Sequence, residues 1–309
     1  MKDKIPQSNG LAQHIRLRAM YLVAGIILAM AALAGCGVNS VDVPGEKQPH
    51  QNANSWRVVD NFEQPDALAQ WYIRDVDNQT SPYIAQPQVA TIVSEAGCCR
   101  HYLKKAAQDG VTGNRKALSY RALPTAVKVG QVSTLFLRIN VEAFPNNHSF
   151  GLSNLHPVQI DTANYDAFEP MLRITDKPES DGSINNGTLM VSTGHKNYAR
   201  IGGAENGQAD PLVPGTWYAI WVVINNRPAQ AGGQTFDVYM RGGEFSHQQK
   251  VYSGGLFRMQ RAQPLGYFIT IANTGPAEAP YGNGGVRYDE IYLSAGINLA
   301  LPAEVKAPL

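Results

Sequence analysis

Arginines, a carboxylate and aromatic rings recur on one face of several predicted strands. Arg138 and Glu142, for example, alternate with the apolar residues Leu137 and Ile139. Aromatic planes stack on the C–H faces of sugar rings, and fixed polar groups set the orientation of the ring. These residue types therefore favour a sugar-binding surface, and opposing arginines favour an anionic sugar such as a uronate. The candidate ligand-binding residues on this concave surface are Arg138, Glu142, Arg173, Trp221, Tyr239 and Arg241.

The elements that must position these residues are short strands. Apolar residues recur at every second position, which is the period of a strand with one buried face. Gly and Asn turns separate the segments, and the sequence shows neither a long helical period nor a fixed repeat. The pattern predicts an all-β sandwich or barrel. The predicted strands are 56–63, 70–74, 89–94, 116–123, 132–144, 170–175, 188–192, 216–225, 235–241, 265–272 and 287–294.

The sequence of the predicted strand 216–225 does not show which of its two faces points to the core. Tyr218 and Ile220 alternate with Trp217 and Trp221, so both faces are apolar. A period of two places these sets on opposite faces of the sheet, and either face is suited to burial. The face that the tryptophans occupy stays open at this point.

Composition excludes one class of function. The 309-residue chain has a formal net charge of +1, and the region after residue 36 is close to neutral. A nucleic-acid-binding protein would show a clustered basic surface, and no such cluster is found. Gly 29 and Pro 19 with 17% charged residues suit a loop-rich secreted β protein. The length allows one large sandwich or two small domains.

The N-terminal region has the order of features found in an export signal. Four basic residues precede an apolar run, 20–33, that is shorter than the ~20 residues of a membrane-spanning helix. The residues Leu-Ala-Gly-Cys at 33–36 resemble the lipobox of bacterial lipoproteins. This resemblance implies cleavage before Cys36, lipidation of Cys36 and location in the cell envelope, and Gly37 after it favours the outer membrane over the inner one.

The predicted domain organisation follows from this N-terminal signal. Residues 1–35 are the signal peptide, which includes its apolar helix, and 36–55 are a polar, flexible tether that carries the lipid. Residues 56–301 form the β-domain, and 302–309 form a C-terminal tail. The membrane is contacted only through the lipid, and the oligomeric state stays open.

Two adjacent cysteines remain after Cys36, at positions 98 and 99. Thiols tend to pair in an oxidising compartment, and neighbouring cysteines pair only in a strained eight-membered ring. Cys98 and Cys99 are therefore either such a vicinal disulfide or two buried free thiols that behave as small hydrophobes. Zinc is disfavoured because no histidine stands at finger-like spacing.

Four motifs in the β-domain resemble a known family. They are Val-Val-Asp-Asn-Phe-Glu at 58–63, Pro-Gly-Thr-Trp-Tyr-Ala-Ile-Trp at 214–221, Thr-Phe-Asp-Val-Tyr-Met at 235–240 and Arg-Tyr-Asp-Glu-Ile-Tyr-Leu at 287–293. Their layout over 56–301 resembles the concanavalin A-like lectin/glucanase jelly roll, in its LamG-like or carbohydrate-binding-module branch. The resemblance implies two curved antiparallel sheets that bind a glycan on the concave face or on the rim loops.

The same resemblance implies a structural calcium ion that joins the first and last strands. The positions that match are Asp60, Glu63 and Asp289. Calcium takes six to eight oxygen ligands, and carboxylates and backbone carbonyls supply them. The alternative is that these acids are ordinary residues at strand ends, with Asp60 and Asn61 in a turn.

Catalysis receives less support from the sequence. Glycosidases of this family carry a Glu-x-Asp-x-Glu strand, and no such triplet is present. The chain also lacks a Gly-x-Ser-x-Gly elbow, a His-Glu-x-x-His helix and a phosphate loop. Polysaccharide lyases on the same scaffold use His, Tyr and Arg, and the matching candidates are His195, Tyr198 and Arg173.

Three functions stay open at this stage. The leading one is a glycan-binding envelope lipoprotein, and the second is a lyase that cleaves a uronate-containing polysaccharide. The third is a structural or adhesion lipoprotein without a small ligand, whose second sheet face would be buried against another element. The segment 153–170 is long for a hairpin connection, so it either rims a groove or is a surface excursion without a role.

Overall fold

The computed structural model describes residues 55–83, 88–94, 101–107, 113, 115–179, 184–205, 207–276, 278 and 284–305. None of the helices in these ranges is long and apolar enough to cross a membrane. The described residues are mostly strands, with short 3-10 turns and one short helix, α1 (Pro157–Ala163). The strands are β1 (Arg57–Asp60), β2 (Tyr72–Val76), β3 (Gln88–Ser94), β4 (His101–Ala107), β5 (Lys116–Val127), β6 (Val132–Val141), β7 (Asn147–Ser153), β8 (Phe168–Thr175), β9 (Leu189–Ser192), β10 (Tyr198–Arg200), β11 (Trp217–Asn225), β12 (Thr235–Gly242), β13 (Phe245–Leu256), β14 (Leu265–Asn273) and β15 (Val286–Ala295).

The strands form two antiparallel sheets. The first sheet has the order β13-β12-β11-β6-β15-β4-β3, with β1 paired to β15. The second sheet has the order β10-β9-β8-β7-β14-β5-β2. The chain changes sheet at several connections, including those between β6 and β7 and between β14 and β15. The predicted all-β class, a two-sheet jelly-roll sandwich, is confirmed.

The main hydrophobic core lies between the two sheets. Strand alternation directs Leu135, Leu137 and Ile139 of β6 into it, and Phe150 and Leu152 of β7 enter it from the opposite sheet. All five side chains are fully buried. Burial of a side chain of this size contributes about 1.5–3 kcal/mol. The core therefore fixes which residues of each strand are left to face outward.

The C-terminal segment covers part of the outer face of the first sheet. Val305 belongs to a buried cluster with Phe136, Trp221 and Tyr292, and Leu301 packs against the same cluster. Packing on the domain therefore continues to at least Val305.

The segment between β7 and β8 covers part of the outer face of the second sheet. It forms α1 and a 3-10 turn at 164–167. Pro157 is the first residue of the helix, where a backbone N–H would have no partner within the helix and where proline has none. The backbone N–H of His156 donates to the side chain of Gln159 at 3.2 Å. Ile160 in the helix packs against strand residues such as Ile269. The long connection is therefore a cover on the sheet.

Four strands of the structure were not predicted from the sequence: β4, β7, β10 and β13. The segment that becomes β7 begins with two asparagines, which predict a turn. Asn146 does make the turn, because its side chain donates to the carbonyls of Ala143 and Gly284 at 3.2 and 3.0 Å. Asn147 already belongs to the strand, and its position there matters for the site described next.

Candidate functional site

The six predicted ligand-binding residues do not share one face. Trp221 lies in β11 of the first sheet, whereas Arg173 lies in β8 of the second sheet. Arg138 lies in β6, and Tyr239 and Arg241 lie in β12, all in the first sheet. The prediction of a single concave surface that carries all six is therefore wrong. The sequence alone does not reveal it, because strand alternation assigns a residue to a face but does not assign a strand to a sheet.

The first sheet buries its predicted sugar-binding tryptophan. Trp221 is 1% exposed, and its Nε1 donates to the carbonyl of Ala300 at 3.2 Å. Arg138 is also buried, with its guanidinium 4.5 Å from the centre of the Trp217 ring and an ion pair to Asp289. Trp221 therefore has no ring face left for a sugar and acts as a support for the C-terminal segment.

The remaining first-sheet candidates lie in separate contacts. Glu142 follows β6 and accepts a hydrogen bond from Arg287 at 2.9 Å. Lys250 lies 5.3 Å from the centre of the Tyr239 ring. Arg241 is half-buried on β12.

Replacement of Trp221 by Ala is expected to destabilise the fold by about 3–5 kcal/mol, because it leaves a cavity beneath the C-terminal segment. Urea unfolding of the variant measures this loss. The control is Ile297→Ala, at a position that is 62% exposed. A Trp221 variant as stable as the control would contradict the assigned packing.

A cavity of about 340 Å³ opens on the outer face of the second sheet, beside the cover formed by α1 and the 3-10 turn. Strands β7, β8, β10 and β14 contribute one residue each, and the turn contributes Tyr165. The other residues come from the connections around it. The lining residues are Asn147, Tyr165, Arg173, Lys177, Glu179, Lys196, Tyr198, Arg258 and Asn273.

Arg173 is held at the floor of this cavity by three neighbours. Its Nε and Nη2 donate to Oδ1 of Asn147 at 3.3 and 3.2 Å. Its Nη1 donates to Oε1 of Glu179 at 2.6 Å. Its guanidinium carbon lies 5.0 Å from the centre of the Tyr198 ring, within the range of a cation–π contact. The guanidinium is therefore fixed in position and direction.

Two asparagines present amide donors to the cavity. Arginine only donates hydrogen bonds, so the atom of Asn147 that faces Arg173 is its oxygen. The backbone N–H of Gly275 donates to Oδ1 of Asn273 at 3.0 Å, which fixes the second amide in the same way. Neither Nδ2 donates to a protein acceptor in the described part of the chain. Both amide nitrogens are therefore the groups left for a ligand.

Arg258 joins the cavity to a second charged cluster. Its Nη1 donates to the phenolic oxygen of Tyr198 at 2.8 Å, and its Nη2 donates to Oδ1 of Asp166 at 2.8 Å. Nε2 of His195 lies 3.4 Å from the same carboxylate oxygen. His195, Tyr198 and Arg173, the three lyase candidates, thus lie in one connected group. Arg258 and Asp166 connect them, and neither was among the predicted site residues.

A buried carboxylate holds the segment that carries Arg258. Glu169 is fully buried, and its Oε1 accepts a hydrogen bond from Nε of Arg261 at 2.7 Å. Its Oε2 accepts from the backbone of Met259 at 3.2 Å, and its backbone carbonyl accepts from Arg258 N–H at 2.9 Å. Burial raises the pKa of Glu169, and the contacts with Arg261 and Met259 oppose this rise. Glu169 is therefore a positioning residue behind the cavity wall.

The charge of Glu179 depends on its neighbours. Burial opposes the ionisation of its carboxyl group, but the charges of Arg173 and Lys177 and a hydrogen bond from Asn185 outweigh burial. The pKa of Glu179 therefore lies below its ordinary value. Glu179 is an anion at neutral pH in a cavity whose other charged lining residues, among those described, are basic.

A pH dependence of stability follows for Glu179. Its pKa is lower in the folded chain than in the unfolded chain, so its ionisation stabilises the fold above the ordinary value of 4.5, and this stabilisation is lost as the pH falls through the lowered pKa. Glu179→Gln is expected to be less stable than the native protein at neutral pH, and the two should converge in acid. Urea midpoints across the pH range, with Glu205→Gln as an equally charged control, measure the difference. A gap that does not shrink in acid would contradict this account.

The predicted calcium ligands do not form a metal site. Both oxygens of Asp60 are taken by protein donors: Oδ2 accepts from Trp71 Nε1 at 2.7 Å and from Arg121, and Oδ1 accepts from Phe62 N–H at 2.9 Å. The arginine already supplies the positive charge that a cation would bring. No three His, Cys, Asp or Glu side chains in the described ranges are grouped so as to hold a metal ion. Asp60, Glu63 and Asp289 therefore do not fit a shared calcium. The predicted sites at Cys36, Cys98 and Cys99 lie outside the described residues.

No family model matches the chain, and no curated protein matches it in a sequence comparison. Among solved structures, the chain is similar to the PL-14 alginate lyase from Aplysia kurodai, with 12% identity, a TM-score of 0.45 and coverage of 79% of this chain and 98% of that chain. It is also similar to the VIP36 exoplasmic/lumenal domain bound to Ca²⁺ and Man3GlcNAc, with 8% identity, a TM-score of 0.44 and coverage of 78% and 89%. A Bacillus subtilis protein with a galectin-like fold gives 9% identity, a TM-score of 0.43 and coverage of 80% and 98%. Similarity at this level assigns no function to the chain.

Proposed function

We propose that the cavity on the second sheet binds an anionic glycan, of the kind that contains uronate residues. The observation that carries this proposal is the composition of its wall. Four basic side chains and two amide donors line it, with one carboxylate among the described lining residues. Hydrogen bonds from arginine to carboxylate are charge-assisted and stronger than neutral ones. A ligand that presents a carboxylate fits such a wall better than a neutral one.

The shape and the aromatic rings support a sugar as the carrier of that charge. A volume of about 340 Å³ lies within the ordinary range of small-ligand sites. Tyr165 and Tyr198 bring two aromatic rings to the wall beside the charged groups. The C–H face of a pyranose can stack on a tyrosine ring, while Arg173 and the amides fix the orientation of the polar groups of the sugar.

Arg173 is expected to carry a large share of the affinity. Loss of a hydrogen bond to a charged group costs about 1.5–3 kcal/mol, which is about a tenfold to hundredfold loss of affinity. Affinity electrophoresis of the full-length protein in gels that contain neutral or uronate polysaccharides measures this loss for Arg173→Ala and for Arg173→Lys. The lysine variant keeps the positive charge but loses the planar guanidinium with its several N–H donors. It therefore separates directional hydrogen bonding from charge attraction between the side chain and the ligand.

Arg241→Ala is the matched control for this experiment, because it removes the same charge from the first sheet. It should leave retardation by acidic polysaccharides unchanged. Loss of binding in Arg241→Ala with binding retained in both Arg173 variants would contradict the proposed site.

A second candidate function is a polysaccharide lyase, and the hydrogen bond from Arg258 to Tyr198 favours it. In β-elimination a base removes the proton next to the uronate carboxylate, a carbon–carbon double bond forms as the glycosidic C–O bond breaks, and the leaving oxygen takes a proton. Arg173 and the Nδ2 of Asn147 would neutralise the carboxylate. Tyr198 would move the proton, with Arg258 stabilising charge on its oxygen and His195 acting through Asp166.

The lyase function predicts new ultraviolet absorbance from unsaturated ends in mixtures of the protein with a uronate polysaccharide. Tyr198→Phe should abolish this absorbance and leave binding within about threefold, because the ring and its contact with Arg173 remain. Absorbance that persists at the native rate in Tyr198→Phe would remove Tyr198 from this role. Binding without absorbance in the native protein would leave the binding function alone.

The proposed place of action is the bacterial cell envelope, with the domain held by a lipid on Cys36. The lipobox-like residues at 33–36 support this proposal. Cys36→Ser is expected to prevent acylation and to release the protein from the membrane fraction. Incorporation of radiolabelled palmitate, with Cys98→Ser as the matched control, measures the modification. Equal labelling of native protein and Cys36→Ser would contradict the assignment.

A further inference from the structure

We propose that Glu179 occupies the position in the cavity that the acidic group of the ligand takes when it binds. Glu179 is then an internal competitor, and it makes the site selective for anions over neutral sugars. This inference rests on the proposed function, because it assigns the atoms that hold the anionic group of the glycan.

The carboxylate of Glu179 is bound in the way a ligand carboxylate would be. Its Oε1 accepts from Arg173 Nη1 and from Asn185 Nδ2, each at 2.6 Å. Its Oε2 accepts from Lys177 Nζ at 3.0 Å. Three donors on two oxygens form a complete carboxylate-binding cradle, and Arg173 and Lys177 of this cradle line the cavity.

Arg173 and Asn185 of the cradle keep contacts that do not depend on Glu179. Arg173 is fixed by Asn147 through Nε and Nη2, which are not the nitrogen that contacts Glu179. The ring of Tyr198 holds the guanidinium from another side. Asn185 also donates to the carbonyl of Lys177 at 3.0 Å, so a contact other than Glu179 fixes the amide. An incoming carboxylate therefore meets donors that are already oriented.

Glu179 can turn away from the cradle without being trapped in the protein. Its side chain is 25% exposed, whereas that of Arg173 is 6% exposed. Departure of Glu179 leaves a buried arginine without its counter-ion, which is costly unless another anion replaces it. A uronate carboxylate or a sulfate group supplies that replacement, and a neutral sugar does not. The exchange thus selects for charge on the ligand.

The test is the affinity of the full-length protein and of Glu179→Gln for an oligogalacturonate and for the neutral methyl ester of the same oligomer, by calorimetry. Removal of the competing charge is expected to tighten binding of the acidic oligomer about tenfold and to leave the neutral ester within about twofold. Glu244→Gln is the matched control, because that carboxylate is held by backbone N–H groups of Ala204 and Asp210 outside this cavity. It should leave both affinities unchanged.

Unchanged or weaker binding of the acidic oligomer by Glu179→Gln would overturn the inference. Equal tightening for the neutral ester would also overturn it, because Glu179 would then act by its size and not by its charge. The proposed function fails in a different way, since neither the native protein nor any variant would then bind the acidic oligomer.

If the protein binds no oligogalacturonate, inorganic sulfate still tests whether the cradle takes an external anion. Sulfate is expected to raise the unfolding temperature of Glu179→Gln more than that of the native protein, and Arg173→Lys introduced into Glu179→Gln should cancel the difference. Equal stabilisation of all three proteins by sulfate would show that the cradle does not take an external anion and would overturn the inference.

Discussion

Packing of α1 and its following turn on the second sheet decides where the candidate cavity opens on that sheet. Leu118, Ile269 and Ile271 point outward from adjacent strands and would be exposed without this cover. Burial of these side chains stabilises the packing of the β7–β8 connection over one part of this face. The part beyond the cover is lined by polar residues, and there the cavity opens. On the first sheet, the C-terminal segment buries outward-facing apolar side chains in the same way, because it packs over Trp221.

The cavity combines a firmly held floor with a carboxylate, Glu179, that a ligand anion replaces in our proposal. Asn147 and Tyr198 fix Arg173, and the buried Glu169 fixes the segment of Arg258. Donors held in this way lose little entropy when a ligand binds, which favours affinity and orientation together. Glu179 balances their charge in the absence of a ligand. Both proposed functions, recognition of an anionic glycan and proton transfer through Tyr198, rest on this one arrangement.

The architecture could be predicted from the sequence because it depends on local patterns. The alternation in 132–144 and 235–241 identified strands with one apolar face, and the structure contains both. The site depends on pairing between distant strands, which no local pattern encodes. Arg138 and Arg173 look alike in sequence, yet they lie on different sheets. Asn147 was hidden because an asparagine pair predicts a turn, and Arg258 follows a strand that was not predicted. Lys177 and Glu179 lie in the connection between β8 and β9, and only the fold brings this connection to Arg173.

The central claim is that the second sheet, and not the first, carries the ligand. A crystal structure of the full-length protein grown with an oligogalacturonate tests this claim most directly. The account predicts sugar density in the cavity beside Tyr198, with a carboxylate on Nη1 of Arg173 and Glu179 turned away. Sugar density on the outer face of the first sheet near Tyr239 and Arg241, with the cavity empty, would contradict it.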